Sequence, residues 1–498
     1  MLTLTRLTLL STLRQPPVLA AFLVIPAVLV FLTADAFDKF SSVLGVGMHD
    51  MPGHGAHFAI LSGLWAAGIT AAMISALTVT EALRADSVLA LKHSAWRWAL
   101  ARGATLIGVG MLAVLVSIGF VAIREDGTGV GVWLAAAYNT ALYVLVGQLV
   151  AYFARDAIAA VGCVSSLWIV DALLAPSMTE GTWWQPVLSP WYSAEYAAMG
   201  YHLGGGEIAA LVVWPLLLVT GFVAVFRLRP RAPELGFGAA ASTAVTKPSR
   251  AHGLRLLLVD LLRHRALLGF AVAGPLCLMA SSLWLFRGVH VAVPAMEHGH
   301  RVLLATTMPQ LHAAYMGMIA VVSFSGTAGF LIAIELHGPD GRLGRNFGRL
   351  GAITILRLGT LLAVGTVATL AALVLVAAVR QPEHWGWFIL AHLLAGWTFT
   401  FLGYCVGLLL DRVTGILLMM FFPFVDVGIA QDYMLGPALP RWAVLLPSHP
   451  FAQLSISSSF GDAVFDTGYL AWGVGILAVS AVAVAAVSGR RLRRAEVA

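Results

Sequence analysis

The sequence predicts an all-α polytopic membrane protein: about twelve transmembrane helices in two parallel six-helix repeats, with interfacial coupling helices between spans. Three observations predict it. Apolar residues make up 59% of the 498-residue chain and charged residues only 11%, which does not describe a surface solvated by water. The apolar residues fall in blocks long enough to cross a hydrocarbon layer of about 30 Å, which takes roughly twenty helical residues. The chain also resembles itself at separations of about 249 to 256 residues.

The blocks are 18–34, 58–80, 103–123, 132–153, 157–175, 208–226, 266–286, 311–334, 358–379, 387–410, 413–430 and 467–488. Helices suit them because a helix satisfies its own backbone hydrogen bonds in lipid. A membrane barrel needs alternation with period two, whereas residues 361–379 are apolar on every face.

Placing the N-terminus in the cytoplasm collects about 24 of the 30 Lys and Arg on one side, the positive-inside signature, and puts both termini there. The net charge of +6 is thus a topology signal and no nucleic-acid footprint, since the basic residues flank spans. Arg6 and Arg14 precede a first span that the sequence predicts to be retained, because segments like it recur inside the chain. Cys163, Cys277 and Cys405 lie in apolar blocks without paired spacing, so neither a disulfide framework nor a zinc site is indicated.

The repeat divides the chain into a first half (1–226), a cytoplasmic linker (227–254) rich in Arg, Pro, Ala and Ser, and a second half (255–498). Leu13-Arg14 matches Leu262-Arg263, Pro26 matches Pro275, Glu81 matches Glu335, Arg102 matches Arg357, Gly147 matches Gly403 and Asp171 matches Asp426. Six spans is an even number, so the halves share an orientation and a central pathway can run between them.

The longest cytoplasmic turn of each half joins its second and third spans, Glu81–Arg102 and Glu335–Arg357. In the first, Val88, Leu89, Leu91, Trp96 and Trp98 alternate with Arg84, Lys92 and Arg97, as in a short interfacial helix. Basic amphipathic stretches also precede each first span: residues 1–14, with Arg6 and Arg14, and residues 254–265, with Arg255 and Arg263.

Four ordered features, each occurring twice, resemble the permeases of the ABC type-2 exporter family. They are the interfacial helix before the first span, the Glu ending the second, the coupling segment after it, and a Pro-containing external segment before the sixth. The last reads Leu188-Ser189-Pro190-Trp191 in one half and Leu446-Pro447-Ser448-His449-Pro450 in the other. The resemblance implies a fused dimer exporting drug-, antibiotic- or lipid-like molecules from the inner membrane. It further implies that Glu81, Arg84, Lys92, Arg97 and Arg102, and Glu335, Arg342, Arg345, Arg349 and Arg357, form the surface that meets a separate ATPase. Plain anchoring of basic helices at the membrane surface, with each Glu paired to a nearby Arg, is the competing reading of the same residues.

ATP and Mg²⁺ are expected on the partner only. A phosphate-binding loop needs Lys followed by Ser or Thr, and the only lysines stand as Lys39-Phe40, Lys92-His93 and Lys247-Pro248. The alternative is a major-facilitator carrier driven by an ion gradient, which Gly338-Pro339-Asp340-Gly341-Arg342 resembles, although the corresponding first-half loop lacks that pattern.

Between the first two spans of each half lie His49, His54 and His57, and His290, His298, His300 and His312, interspersed with Met. Imidazole and thioether suit copper, and imidazole suits zinc, yet the spacing fits no ligand template and solvated loop roles stay open. Within the spans the costly polar groups are Asn139, Gln148, Asp171 and Asp426. They are candidates for a substrate path; alternatively the two aspartates hold the Pro-containing segments. Trp183, Trp184, Trp191 and Trp442 are expected in interfacial belts. No catalytic constellation is present, so no enzyme activity is expected of this chain.

Overall fold

The computed structural model describes residues 26–27, 30–31, 54–85, 95–125, 127–154, 157–174, 185–228, 265–285, 290–297, 300–347, 350–379, 381–410, 412–431, 439, 441–460 and 467–497. These are overwhelmingly helical. In chain order they form α1 (His54–Ala85), α2 (Ala95–Arg124), α3 (Val130–Ala154), α4 (Ala157–Leu174), the single turn α5 (Gln185–Leu188), α6 (Tyr192–Ala198), α7 (Gly205–Leu228) and α8 (Arg265–Leu285). Then come β1 (His290–Glu297), β2 (His300–Thr307), α9 (Met308–Phe347), α10 (Leu350–Val379), α11 (Trp385–Leu409), α12 (Arg412–Pro423), α13 (His449–Phe460) and α14 (Thr467–Val497).

Eight of these helices are long and apolar enough to cross a membrane: α1, α2, α3, α7, α9, α10, α11 and α14; shorter apolar stretches lie in α4, α8 and from Thr414 to Gly428. Their outer faces carry apolar side chains in the open, among them Leu115, Leu134, Leu216, Leu370, Val479 and Val482. Water does not tolerate a belt of that kind, whereas lipid chains do. The chain therefore has the helices and the surface of a multi-pass membrane protein.

Two helices form the inner core. α1 and α9 are buried along almost their whole apolar length, while α7 and α14 bury few residues and lie at the periphery. α1 packs on α2 and α3, and α9 packs on α10 and α11. Small residues let these pairs approach closely, as membrane packing requires when no water is expelled. A Cβ placed on Gly147 of α3 would stand 2.5 Å from the Ala72 carbonyl oxygen of α1, and one on Gly403 of α11 would overlap the Gly326 carbonyl of α9. Gly329 meets the Thr400 backbone in the same crossing.

Helix ends follow local chemistry. α2 stops at Arg124, a cation favourable at a helix C-terminus, which pairs with Glu125 at 3.2 Å; Gly127 then turns the chain at φ +121°. α12 ends in Pro423, which has no N–H to donate, and the helix widens into a π turn over Phe424–Ile429 that carries Asp426.

One element besides the helices is present: β1 and β2 form an antiparallel hairpin with His290 opposite Thr307 and Glu297 opposite His300. A segment expected as a His/Met loop is thus largely backbone-paired. The Pro-containing segments are largely buried: Tyr192–Glu195 in α6 and nearly all of α13 lie inside.

The two groups of helices meet along α4. Phe270 of α8 fits against Gly162 of α4 and crosses Phe324 of α9 edge-on, centroids 5.1 Å apart. Trp168 of α4 meets Phe421 of α12 at 5.6 Å, and the Ser165 hydroxyl approaches the Met420 sulfur at 3.0 Å. This seam is made of small residues, aromatic edges and a thioether, a composition with few directional bonds to break.

Candidate functional site

Two hydrogen-bonded groups of buried polar side chains lie where α4 and α12 end. At the end of α4, Asp171 accepts hydrogen bonds from the Tyr143 hydroxyl (2.5 Å) and the Ser189 hydroxyl (2.7 Å). Ser189 in turn accepts from the backbone N–H groups of Trp191 (3.2 Å) and Tyr192 (3.1 Å), which starts α6. At the π turn following α12, Asp426 accepts from the Ser448 hydroxyl and from the Ser448 N–H (3.2 Å). Ser448 precedes α13, with Pro450 in its first turn, where a missing N–H costs nothing. In both places a buried aspartate at the end of a shorter apolar helix fastens the serine beside a proline. The structure thus places Asp171 and Asp426 as latches on those segments, each at most 1% exposed.

Around the first latch lies a second polar layer. Glu195 of α6 is wholly buried; its Oε1 accepts from Trp65 Nε1 (3.1 Å) and, at 3.5 Å, from Asn139 Nδ2. Glu195 Oε2, Asn139 Oδ1 and Trp191 Nε1 are buried without a hydrogen-bond partner. Trp191 stacks on Tyr143 at 4.1 Å and 16°, so it belongs to the core and not to an interfacial belt. Ile319, Ala395, Phe399 and Leu454 of the second half are all buried.

The second latch has a different polar neighbour. Gln431 Nε2 donates to the Ala443 carbonyl (2.9 Å), His449 Nδ1 contacts Gln431 Oε1 (2.8 Å), and the Tyr315 hydroxyl donates to the Gln431 carbonyl. These bonds hold the short turn Arg441–Leu445 against α13. Burial pushes the His449 imidazole below its usual range. A base held below its unfolded value of 6.5 binds fewer protons folded than unfolded, so stability should fall as pH drops through about 6.5 and rise again above it. His449→Asn keeps one N–H for Gln431 and removes the titration. A melting-temperature profile that keeps its acid slope in this variant would contradict the assignment.

Among the other sequence-predicted residues, Asn139 and Gln148 lie buried in α3, and Gln148 packs against Gly103. Glu81 and Arg84 fall in the last turns of α1, Arg97 and Arg102 in the first turns of α2, and Glu335, Arg342 and Arg345 in the extended end of α9. Arg357 departs from its expected role: it is 2% exposed inside α10, too enclosed to meet another protein. Lys92, Arg349, Arg6, Arg14, Arg255, Arg263 and His298 lie outside the described residues. Pro190 and Pro447 are half-buried and Pro450 is buried. His54 and His57 open α1, His300 opens β2, and His312 is a buried residue of α9 and no loop histidine. Among the described residues no group of three or more His, Cys, Asp or Glu is placed to hold a metal ion.

Glu195 and Trp65 escaped the sequence reading. A Glu in a segment read as an external loop looks solvated, and only the burial of α6 reveals it. No family model, curated protein or solved structure matches the chain.

Proposed function

We propose that this chain is the transmembrane subunit of an ATP-driven exporter of the ABC type-2 kind. In this reading it has twelve spans in two parallel six-helix repeats, with both termini cytoplasmic. It moves an amphiphilic or hydrophobic substrate outward along the seam, powered by two separate ATPase subunits. The observation that carries the proposal is the paired latch: Asp171–Ser189 and Asp426–Ser448 fasten corresponding Pro-containing segments. Gly147 against Ala72 and Gly403 against Gly326 mark the same crossing in each repeat, at separations matching the sequence repeat. The sparsely bonded seam at α4 is a surface along which two such bundles can shift.

Reconstitution in lipid vesicles with the candidate ATPase tests the reading. ATP hydrolysis should be stimulated several-fold by the chain, and stimulation should vanish when residues 86–94 and 338–346 are replaced by Gly-Ser linkers of equal length. Stimulation surviving both replacements would remove the coupling role. The purified assembly should contain one chain and two ATPase subunits.

A second reading, the ion-gradient carrier, is favoured by one observation: Asp171 and Glu195 are buried near each other without a basic partner among the described residues. Transport that stops on collapsing the proton gradient and ignores ATP depletion would put that reading first.

A further inference from the structure

We infer that Glu195 is a proton-binding site, loaded by one proton exchanged with the aqueous phase next to α6, and that the first repeat alone possesses it.

The argument starts from unmet hydrogen-bonding capacity. Glu195 Oε1 already accepts from Trp65 and Asn139, while Oε2 has no donor facing it and is sealed from water. An ionised carboxylate in that place would carry a bare anionic oxygen in a low-dielectric interior, at a cost that normally drives such a group to its neutral form. The protonated form removes the problem. It turns Oε2 into a donor, and the wholly buried side chain already bonded to Glu195, Asn139, has an acceptor oxygen with nothing donating to it. The two orphaned atoms are the two ends of one missing hydrogen bond.

The groups facing Glu195 offer no counter-charge. α4 contributes Asp171, α3 contributes Tyr143, and α6 itself contributes Tyr192, which Tyr196 and Glu207 of α7 also approach; α1 presents Trp65, and its titratable residues His54, His57, Glu81 and Arg84 stand toward its two ends. His202, beyond α6, is exposed. Among the described side chains, every charge recorded near the site is therefore negative. Burial, and after it the Asp171 carboxyl, hold the Glu195 carboxyl well above the usual carboxylate range, against the opposing pull of the Trp65 hydrogen bond.

Under the two-repeat reading, the second repeat serves as an internal control. It retains the Asp–Ser latch, yet the positions of Trp65, Asn139 and Tyr143 correspond to Ile319, Ala395 and Phe399, and with Ser189 aligned on Ser448 that of Glu195 corresponds to Leu454. The fold can thus be completed there with apolar packing, and the polar layer of the first repeat is an addition beyond what the architecture needs. Release of the proton leaves a second negative charge beside Asp171, and the repulsion bears directly on α6 and the serine that Asp171 holds. The site therefore ties the position of the Pro-containing segment to the pH of the compartment it faces.

The test is infrared difference spectroscopy of the full chain in phosphatidylcholine and phosphatidylglycerol vesicles, titrated with acid and base. A protonated-carboxyl C=O band present at neutral pH should be lost in Glu195→Gln and retained in Asp171→Asn. Trp65→Ile/Asn139→Ala/Glu195→Leu, which installs the second repeat's residues, should fold and also lack the band, so the result does not hang on one variant. Relative to Glu195→Gln, wild-type stability should decline as pH rises through the titration, because a folded value above the unfolded 4.5 means the folded state holds the extra proton. A neutral-pH spectrum with no band removed by Glu195→Gln, or a stability difference between wild type and Glu195→Gln that is flat from about pH 5 to about pH 9, would overturn the inference. Neither readout uses ATP or substrate, so its failure leaves the exporter reading untouched, and the converse holds.

Discussion

Replacing Gly403 by alanine should prevent α11 from seating on α9 and leave little folded protein. The added methyl would overlap the Gly326 carbonyl, and a backbone oxygen in the middle of a helix cannot turn away as a side chain can. Neighbouring approaches share the strain. Gly329 meets the Thr400 backbone, and a Cβ on Gly407 would lie 2.7 Å from both the Phe330 carbonyl oxygen and the Ala333 methyl. Relieving one overlap by sliding the helices worsens another, so the cost belongs at or above the top of the usual range for overpacking, about 3 kcal/mol. Gly359 of α10 and Gly475 of α14 are the controls, because a methyl on either meets nothing within 4 Å. There alanine should be neutral or should stabilise by up to about 1 kcal/mol through helix propensity. Thermal denaturation in detergent distinguishes the two classes, and a Gly403→Ala protein melting with the wild type would mean that the helices do not cross at that point. Gly147→Ala, with 2.5 Å to the Ala72 carbonyl, should show the same effect at smaller size.

That crossing also shows what a sequence discloses and what it withholds. The spans were legible because membrane thickness imposes a length on each apolar block, and residues 354–378 of α10 fill that length with little interruption. The correspondence of Gly147 with Gly403 was legible as well, but its reason, backbone against backbone, needed the partner helix. The hairpin was obscured by its own residues. Val291, Val293, Val302 and Leu304 suit strands, whereas Pro294, the histidines and Gly299 read as loop. Trp191 and Glu195 were misplaced or missed for one cause. Both lie in a segment whose polarity suggested solvent, and the segment is buried only because Asp171 reaches across to Ser189 and satisfies what would otherwise be exposed polar groups. A side chain distant in sequence decided the environment of a whole turn. Local pattern carries no trace of that.

Removing the aspartates should release those turns, and the choice of replacement separates a latch from a mere filler. In Asp426→Ala the Ser448 hydroxyl and N–H both lose their acceptor in a buried place. A stranded donor costs about 1–3 kcal/mol, so α13 should open far more often. A cysteine at Ala452, 2% exposed in the wild type, should then react with a maleimide at least about tenfold faster, each tenfold corresponding to about 1.4 kcal/mol. Asp426→Asn should lose only part of this, since its oxygen can accept the Ser448 N–H while its amide donates to the Ser448 oxygen, and the hydroxyl proton alone loses its acceptor. Asp171 is a harder case. The Ser189 oxygen already accepts two backbone N–H groups and has no room for an amide donor, so in Asp171→Asn only the Tyr143 oxygen can receive the new N–H. The tyrosine proton then has nowhere to go. Asp171→Asn should therefore fall between wild type and Asp171→Ala in melting temperature, as Asp426→Asn should fall between wild type and Asp426→Ala. In a double-mutant cycle, Asp426→Ala and Ser448→Ala should be strongly non-additive, by an amount within the 0.5–3 kcal/mol typical of contacting pairs. Additive losses, or equal labelling of Ala452→Cys with and without Asp426, would show that the carboxylate fills space beside α13 without holding it.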